Sequence, residues 1–139
     1  MPPISELRLG RVALVGLAVI VISILVVMLV VTVYATILAV QAQGTPDQEK
    51  IAEFGESVGS WLGTIVGLLC IFLGAAWTAR RVPQHKAFHG LLLGIFVAII
   101  TTALDAIGGL TALDIAGFVL AIGAGWLGGV VGAGRKAEV

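Results

Sequence analysis

The chain has 139 residues, of which 59% are apolar, 19 are glycine and only 12% are charged. A soluble domain carries roughly twice that fraction of charged residues, and so small a domain has too little interior to hide this much apolar surface from water. The composition therefore predicts an integral membrane protein. It excludes a soluble enzyme, a nucleic-acid-binding protein and a disulfide-stabilised scaffold.

Four apolar runs predict a single domain of four transmembrane helices that pass up and down through the bilayer as a bundle. The runs cover residues 12–40, 57–79, 87–107 and 112–133. At 1.5 Å per residue, each is long enough to cross a hydrocarbon layer about 30 Å thick. Helix 1 exceeds that length, so we expect it to tilt or to project beyond the membrane as an uncleaved anchor.

Capping patterns precede helices 2 and 4. Helix 2 is expected to extend outside the membrane from about Pro46, with Thr45 as its N-cap and Gln48 closing a capping box. Thr111 and Asp114 repeat this pattern at the start of helix 4. Both helices are therefore expected to begin on the same side of the membrane.

The charged residues are sorted between the two sides of the membrane. Seven of the eight cations fall on the side that holds both termini: Arg8, Arg11, Arg80, Arg81, Lys86, Arg135 and Lys136. With two acids, that side has a net charge of +5, whereas Lys50 and six acids give the other side −5. The positive-inside rule then predicts that both termini are cytoplasmic.

Small residues recur every three or four positions on helices 2, 3 and 4, which places them on common helix faces. In lipid, such faces allow the close backbone approach that holds helices together. The predicted packing glycines are Gly55, Gly59, Gly63, Gly67 and Gly74 on helix 2, Gly90 and Gly94 on helix 3, and Gly117, Gly125, Gly128, Gly129 and Gly132 on helix 4. Two uses remain open: packing within one chain, with helix 1 most exposed to lipid, or an interface between chains.

Asp105 is the strongest candidate for an ion or proton site, together with Thr101 and Thr102. It follows Gly90 by about 23 Å of helix, which places it near the outer hydrocarbon boundary. A carboxylate inside a membrane is costly and often marks an ion path. The alternative is a solvated carboxylate at the interface, for which Lys50 is the expected partner.

The cytoplasmic side is expected to contact anionic lipid headgroups. The predicted contacts are Arg80, Arg81, His85, Lys86, His89, Arg135 and Lys136. His85 and His89 have a spacing that can bind metal, but the neighbouring cations repel a metal ion, so no metal site and no cofactor are predicted. Cys70 is expected to be a small packing residue, and Trp126 is expected to pack between helices.

Three segments resemble a family of small, uncharacterised four-helix bacterial membrane proteins. They are Trp77–Arg81, His89–Gly94 and Gly125–Gly132. In that pattern a basic turn precedes an HGxxxG-like helix start, and the last helix ends in a glycine-rich run. The resemblance implies a four-helix bundle in the bacterial plasma (inner) membrane, and it supplies no substrate, cofactor or catalytic residue.

No motif of nucleophilic, metal or phosphate chemistry occurs in the sequence, so the protein is predicted not to be an enzyme. The leading hypothesis is an accessory or assembly subunit that acts through helix packing, with lipids, other membrane subunits or a second copy as partners. The alternative is a small transporter or channel with an outer acidic vestibule at Asp105.

Overall fold

The computed structural model describes residues 9–43, 45–107 and 109–134, and these residues form four helices. The helices are α1 (Leu9–Ala42), α2 (Gln48–Arg80), α3 (Lys86–Asp105) and α4 (Ala112–Gly134). Each is long and apolar enough to cross a membrane. The prediction of an all-α fold with four helices long and apolar enough to span a membrane is therefore confirmed.

The start of α2 differs from the predicted capping box. The N-cap is Asp47, whose Oδ1 accepts hydrogen bonds from the backbone N–H groups of Glu49 (3.1 Å) and Lys50 (3.3 Å). The prediction of Thr45 as the N-cap is wrong. A carboxylate is a stronger acceptor than a hydroxyl, and it is further stabilised by the positive end of the helix dipole.

The predicted cap of α4 is confirmed. The Thr111 backbone N–H donates to Oδ2 of Asp114 at 2.6 Å, and the Thr111 hydroxyl donates to the same oxygen at 2.8 Å. The Asp114 N–H donates in return to the Thr111 carbonyl at 3.2 Å. This reciprocal bonding occupies one oxygen of the Asp114 carboxylate.

In cross-section the helices occupy the corners of a rhombus. The closest association is between α3 and α4, and α2 contacts each of the other three helices. Within the described ranges, α1 and α4 make no close backbone approach. The order around the perimeter is therefore α1, α2, α4, α3, with α2 and α3 across the short diagonal.

The two ends of the bundle differ in charge, and we term them the acidic end and the basic end. The α1–α2 and α3–α4 turns lie at the acidic end. The carboxylates that the structure describes all lie toward that end: Asp47, Glu49, Glu53, Glu56, Asp105 and Asp114. The α2–α3 turn, with Arg80, Arg81 and Lys86, lies at the basic end.

The hydrophobic core occupies the half of the bundle nearer the basic end. Its members come from all four helices: Val12, Val15, Val19, Ile71, Ala75, Leu93, Val97, Ala98 and Ala121. Toward the acidic end, Val58 is the one buried residue among those described. The helices therefore pack tightly at the basic end and diverge toward the acidic end.

Glycine brings α3 and α4 into backbone contact. A Cβ atom on Gly90 would lie 2.6 Å from the Gly125 carbonyl oxygen, and one on Gly94 would lie 2.7 Å from that of Ala121. Gly129 is equally close, since its Cβ would lie 2.8 Å from the Ala87 carbonyl oxygen. No side chain larger than hydrogen fits at these positions without a shift of backbone.

A second small face of α4 meets α2. A Cβ atom on Gly128 would clash with the Phe72 carbonyl oxygen, and one on Gly132 would clash with that of Ala76. Because these faces lie side by side on α4, one helix serves two contacts. Glycine at both faces thus sets the spacing of the three helices.

The glycines in the acidic half are placed differently. A Cβ atom on Gly59, Gly67 or Gly117 would have no neighbouring atom within 4 Å. Gly55 and Gly63 meet only valine side chains of α1, at 3.7 to 3.9 Å. Within a single chain, the prediction of tight packing is wrong for Gly59, Gly67 and Gly117, because the helices have already diverged at this level.

Helix α1 is held by its first half. Its buried residues are Val12, Val15, Gly16 and Val19, and every residue after Val19 is at least partly exposed. Gly74 of α2 receives the Val19 side chain, since a Cβ at Gly74 would lie 2.9 Å from Val19 Cγ2. Gly74 therefore packs against α1, and α1 is the most exposed helix, as expected.

Two single-residue expectations have different outcomes. Cys70 lies half-buried against the core, as a small packing residue would. Trp126 is 50% exposed, so the prediction that it packs between helices is wrong. The buried residues of α4 are Ala121, Gly125, Gly128, Gly129 and Gly132, and Trp126 projects from the exposed side of the helix.

Candidate functional site

The diverging helices enclose a cavity of about 550 Å³, which we term the vestibule. Its floor is formed by one core residue from each helix: Val19, Ile71, Val97 and Ala121. Its rim includes Leu104, Asp105 and Leu113, which are exposed at the acidic end. The vestibule is therefore closed toward the basic end and open toward the acidic end.

The glycine stripe of α2 forms one wall of the vestibule. Gly59, Gly63 and Gly67 line it, and Gly117 lines it from α4. Since a side chain at Gly59, Gly67 or Gly117 would have open space around it, the lack of side chains leaves this volume free. These glycines were predicted to bring helices together, and the structure places them around a space instead.

Four of the five hydroxyl groups in the described vestibule lining have already donated their hydrogens, and that of Thr102 has not. Ser23, Ser60, Thr64 and Thr101 donate to backbone carbonyl oxygens of their own helices, at 2.6 to 3.0 Å. A hydroxyl has a single hydrogen but two lone pairs. These four groups therefore remain available to a ligand as acceptors and not as donors.

Two carboxylates lie at the rim of the vestibule, and they differ in what they bind. Asp114 caps α4 through Thr111. No hydrogen bond or ion pair joins Asp105 to another residue in the part of the chain that the structure describes. Lys50, its expected partner, pairs instead with Asp47 at 3.5 Å, because that carboxylate is three residues away on the same turn.

The charge at the rim is uncompensated. The lining that the structure describes contains Asp105 and Asp114 and no lysine, arginine or histidine. Asp105 also ends α3, where the last carbonyl groups carry the negative end of the helix dipole. The partial positive charge of the helix dipole at the N-terminus of α4 is already compensated by the Asp114 carboxylate. The rim therefore attracts cations.

The structure brings the predicted ion-site residues together, since Asp105, Thr101 and Thr102 all line the vestibule. Ser23, Ser60, Thr64 and Asp114 were not predicted as part of it. A signal for them does exist in the sequence. Ser60 and Thr64 lie four residues apart beside the glycine stripe, and Ser23 is the single polar residue of helix 1 between Arg11 and Thr32.

At the basic end, an arginine ties α1 to the α2–α3 turn. The Arg11 Nη1 donates a hydrogen bond to the Arg81 carbonyl oxygen at 3.0 Å. The Arg81 guanidinium lies 5.2 Å from the centre of the Trp77 ring, within the range of a cation–π contact. The α2–α3 turn is therefore joined to α1 by Arg11 and to α2 by the contact of Arg81 with Trp77.

The predicted lipid contacts are only partly on the surface. Arg80, Arg81 and His85 are exposed, and Lys86 is partly buried. His89 is 1% exposed, with its Nδ1 donating to the His85 carbonyl oxygen at 3.0 Å. The prediction of headgroup contact is wrong for His89, because the first turn of α3 lies inside the bundle. Arg135 and Lys136 lie outside the described residues.

No three metal-ligating side chains come together within the described ranges. The vestibule has a defined chemistry, with an apolar floor below a rim that carries two carboxylates. Comparison of the chain with known protein families, with curated proteins and with solved structures finds no match.

Proposed function

We propose that the chain is a non-enzymatic integral membrane protein that takes up a small cation in its vestibule and acts as a transporter. One observation carries the proposal. Asp105, a carboxylate with no partner among the described residues, lies at the open rim of a cavity whose polar groups are acceptors. Cations fit such a lining, because its two carboxylates repel an anion and four of its five described hydroxyl groups have no hydrogen left to donate.

The closed floor favours a carrier over an open pore. The core and the contact between Gly90 and Gly125 fill the bundle below the vestibule. A carrier exposes its site to one side at a time, with rearrangement of helices between the two states. We infer that this structure represents the state open at the acidic end.

The charge distribution supports an orientation with the basic end in the cytoplasm of a bacterial plasma membrane. The vestibule then opens to the outside, where Asp105 and Asp114 at its rim raise the local concentration of cations. The exposed arginines at the basic end then lie at the level of anionic headgroups.

The test measures uptake of sodium or potassium into vesicles that contain the purified full chain. We expect uptake with the wild type and a loss of about tenfold for Asp105→Asn, since the neutral amide removes the charge that binds the cation. Glu53→Gln is the matched control, because Glu53 is exposed and lies outside the vestibule. Equal uptake by wild type and Asp105→Asn would refute the proposal.

An accessory or assembly subunit is the second candidate, and the exposed surface of α1 favours it. The apolar run at 12–40 extends about 43 Å, which exceeds the hydrocarbon layer of about 30 Å by roughly 13 Å. Leu25 and Leu29, near its middle and outside the vestibule lining, are 59% and 64% exposed. A helix of another subunit would cover this face.

Mass measurement of the protein purified in mild detergent separates the two candidates. Paired Leu25→Ser and Leu29→Ser substitutions are compared with Leu120→Ser, which changes an exposed residue of α4. An assembly subunit would lose its partner only in the α1 variant. If the wild type and both variants purify as a lone chain, the transporter is favoured.

A further inference from the structure

We infer that the ligand of the vestibule is an amphipathic organic cation, with its charged nitrogen at Asp105 and its apolar body toward the floor. The inference rests on the proposed function and names its substrate class. It follows from how polarity changes along the depth of the vestibule.

The polar groups of the vestibule lie above an apolar floor. Asp105 at the rim is eight residues from Val97 at the floor, a depth of about 12 Å. Thr101 and Thr102 lie between these two levels. The lower part is lined by the Ser23 hydroxyl and otherwise by apolar side chains: Ile20, Ile24, Leu68, Ile71, Phe118 and Ala121. A ligand that fills this space has one charged end and an apolar remainder.

The acceptors of the lining suit an ammonium group. An ammonium nitrogen that carries hydrogens donates to the Asp105 carboxylate and to hydroxyl oxygens such as that of Thr101. Charge-assisted hydrogen bonds of this kind are about twice as strong as neutral ones. An anionic ligand is repelled by the Asp105 and Asp114 carboxylates, and among the described hydroxyl groups of the lining only that of Thr102 keeps its hydrogen for a ligand.

An inorganic cation fits the lining less well. Calcium takes six to eight oxygen ligands, and magnesium keeps several of its waters. The vestibule hydroxyls are spread over three helices, and no cluster of three metal-ligating side chains occurs in the described residues. A hydrated ion would also gain nothing from the apolar floor. The volume of about 550 Å³ instead lies within the range of small-molecule sites.

The test measures binding of octylammonium to the full chain in phosphatidylcholine nanodiscs, with empty nanodiscs as the background. Octanol is the uncharged probe, and tetramethylammonium is the cation without an apolar chain. We expect octylammonium to bind at least about tenfold more tightly than either, since it alone has both the charge and the apolar body.

Two variants test where the probe binds. Asp105→Asn removes the charge, and Gly59→Leu fills the wall of the vestibule, where Gly59 has open space. Each should weaken octylammonium binding about tenfold. The controls are Glu53→Gln and Gly123→Leu. Gly123 also has open space around it but does not line the vestibule.

The outcomes separate this inference from the proposed function. If octylammonium fails to bind while sodium or potassium flux requires Asp105, the ligand class is wrong and the transporter stands. If octanol binds as tightly as octylammonium, the vestibule holds neutral amphiphiles or lipid, and the inference falls. If neither flux nor binding depends on Asp105, both proposals fail.

Discussion

At the level of single residues, the same residue type has opposite roles at the two ends of the bundle. Gly125 allows two backbones to touch, with the Gly90 carbonyl oxygen 2.6 Å from the position of a Cβ atom. Gly59 allows a space to exist, because nothing lies within 4 Å of that position. One added methyl group therefore distinguishes the two roles.

Gly125→Ala should destabilise the bundle. The new methyl group meets backbone atoms of Gly90 and Gly94, which cannot move as a flexible side chain would. Overpacking of this kind costs about 1–3 kcal/mol. Equilibrium unfolding in mixed detergent micelles measures the loss.

Gly123→Ala is the matched control on the same helix. Because Gly123 has open space around it, the substitution should leave stability unchanged or raise it by up to about 1 kcal/mol through helix propensity. Equal stability of the Gly125 and Gly123 variants would contradict the contact between α3 and α4.

The cap of α2 should depend on pH. The hydrogen bond from the Lys50 N–H holds the pKa of Asp47 below its ordinary value. A lowered pKa in the folded state means that the cap stabilises fully above the ordinary pKa and loses this contribution as the pH falls through the lowered value. The protection of the Glu49 and Lys50 amides against hydrogen exchange, taken relative to the intrinsic exchange rate at each pH, should therefore decrease in acid. Asp47→Asn, which keeps a neutral acceptor, should remove that pH dependence, and a persistent dependence would implicate another group.

At the level of helices, α1 and α2 are longer than the other two. They have 34 and 33 residues, against 20 in α3, and this difference amounts to about 20 Å of helix. Near the acidic end they are joined by Tyr34 and Phe54, whose stacked rings have centroids 3.8 Å apart. The pair forms a clasp between the two long helices beyond the ends of α3 and α4.

Tyr34→Ala should loosen this clasp without unfolding the core. A stacked aromatic pair contributes about 0.5–1.5 kcal/mol beyond its buried area, so amides of the last two turns of α1 and the first two turns of α2 should exchange faster. The core amides near Leu93 should keep their protection. Ile37→Ala, at an exposed position of α1, is the control, and an equal effect in both variants would contradict a specific role of the stack.

At the level of the whole molecule, the separation of charge predicts how the chain lies in the membrane. Single cysteines are introduced at Glu53 and Gln84, both exposed at opposite ends, in a chain that carries Cys70→Ala. A membrane-impermeant maleimide should label the cysteine at 53 in intact cells and the cysteine at 84 only after permeabilisation. The reverse pattern would place the basic end outside.

Hydropathy predicted the four helices closely, because uninterrupted apolar runs leave few alternatives in a chain of this composition. It could not predict the divergence of the helices. The spacing of Gly59 and Gly63 shows that they share a face but not how far away the next helix lies, and the same spacing in α4 belongs to a tight contact. His89 was misplaced for a similar reason, since its basic neighbours indicate a surface although the first turn of α3 is inside.

The contrast between touching glycines at one end and the vestibule at the other also determines the outline of the molecule. At the basic end the backbones are in contact, and at the acidic end the helices are spread around about 550 Å³ of space. At the level of the vestibule the four helices therefore occupy a larger cross-section than at the basic end, and in a membrane they would take up more area in the leaflet on the vestibule side. Lipids beside it must fill the difference, so its insertion changes the balance of area between the two leaflets.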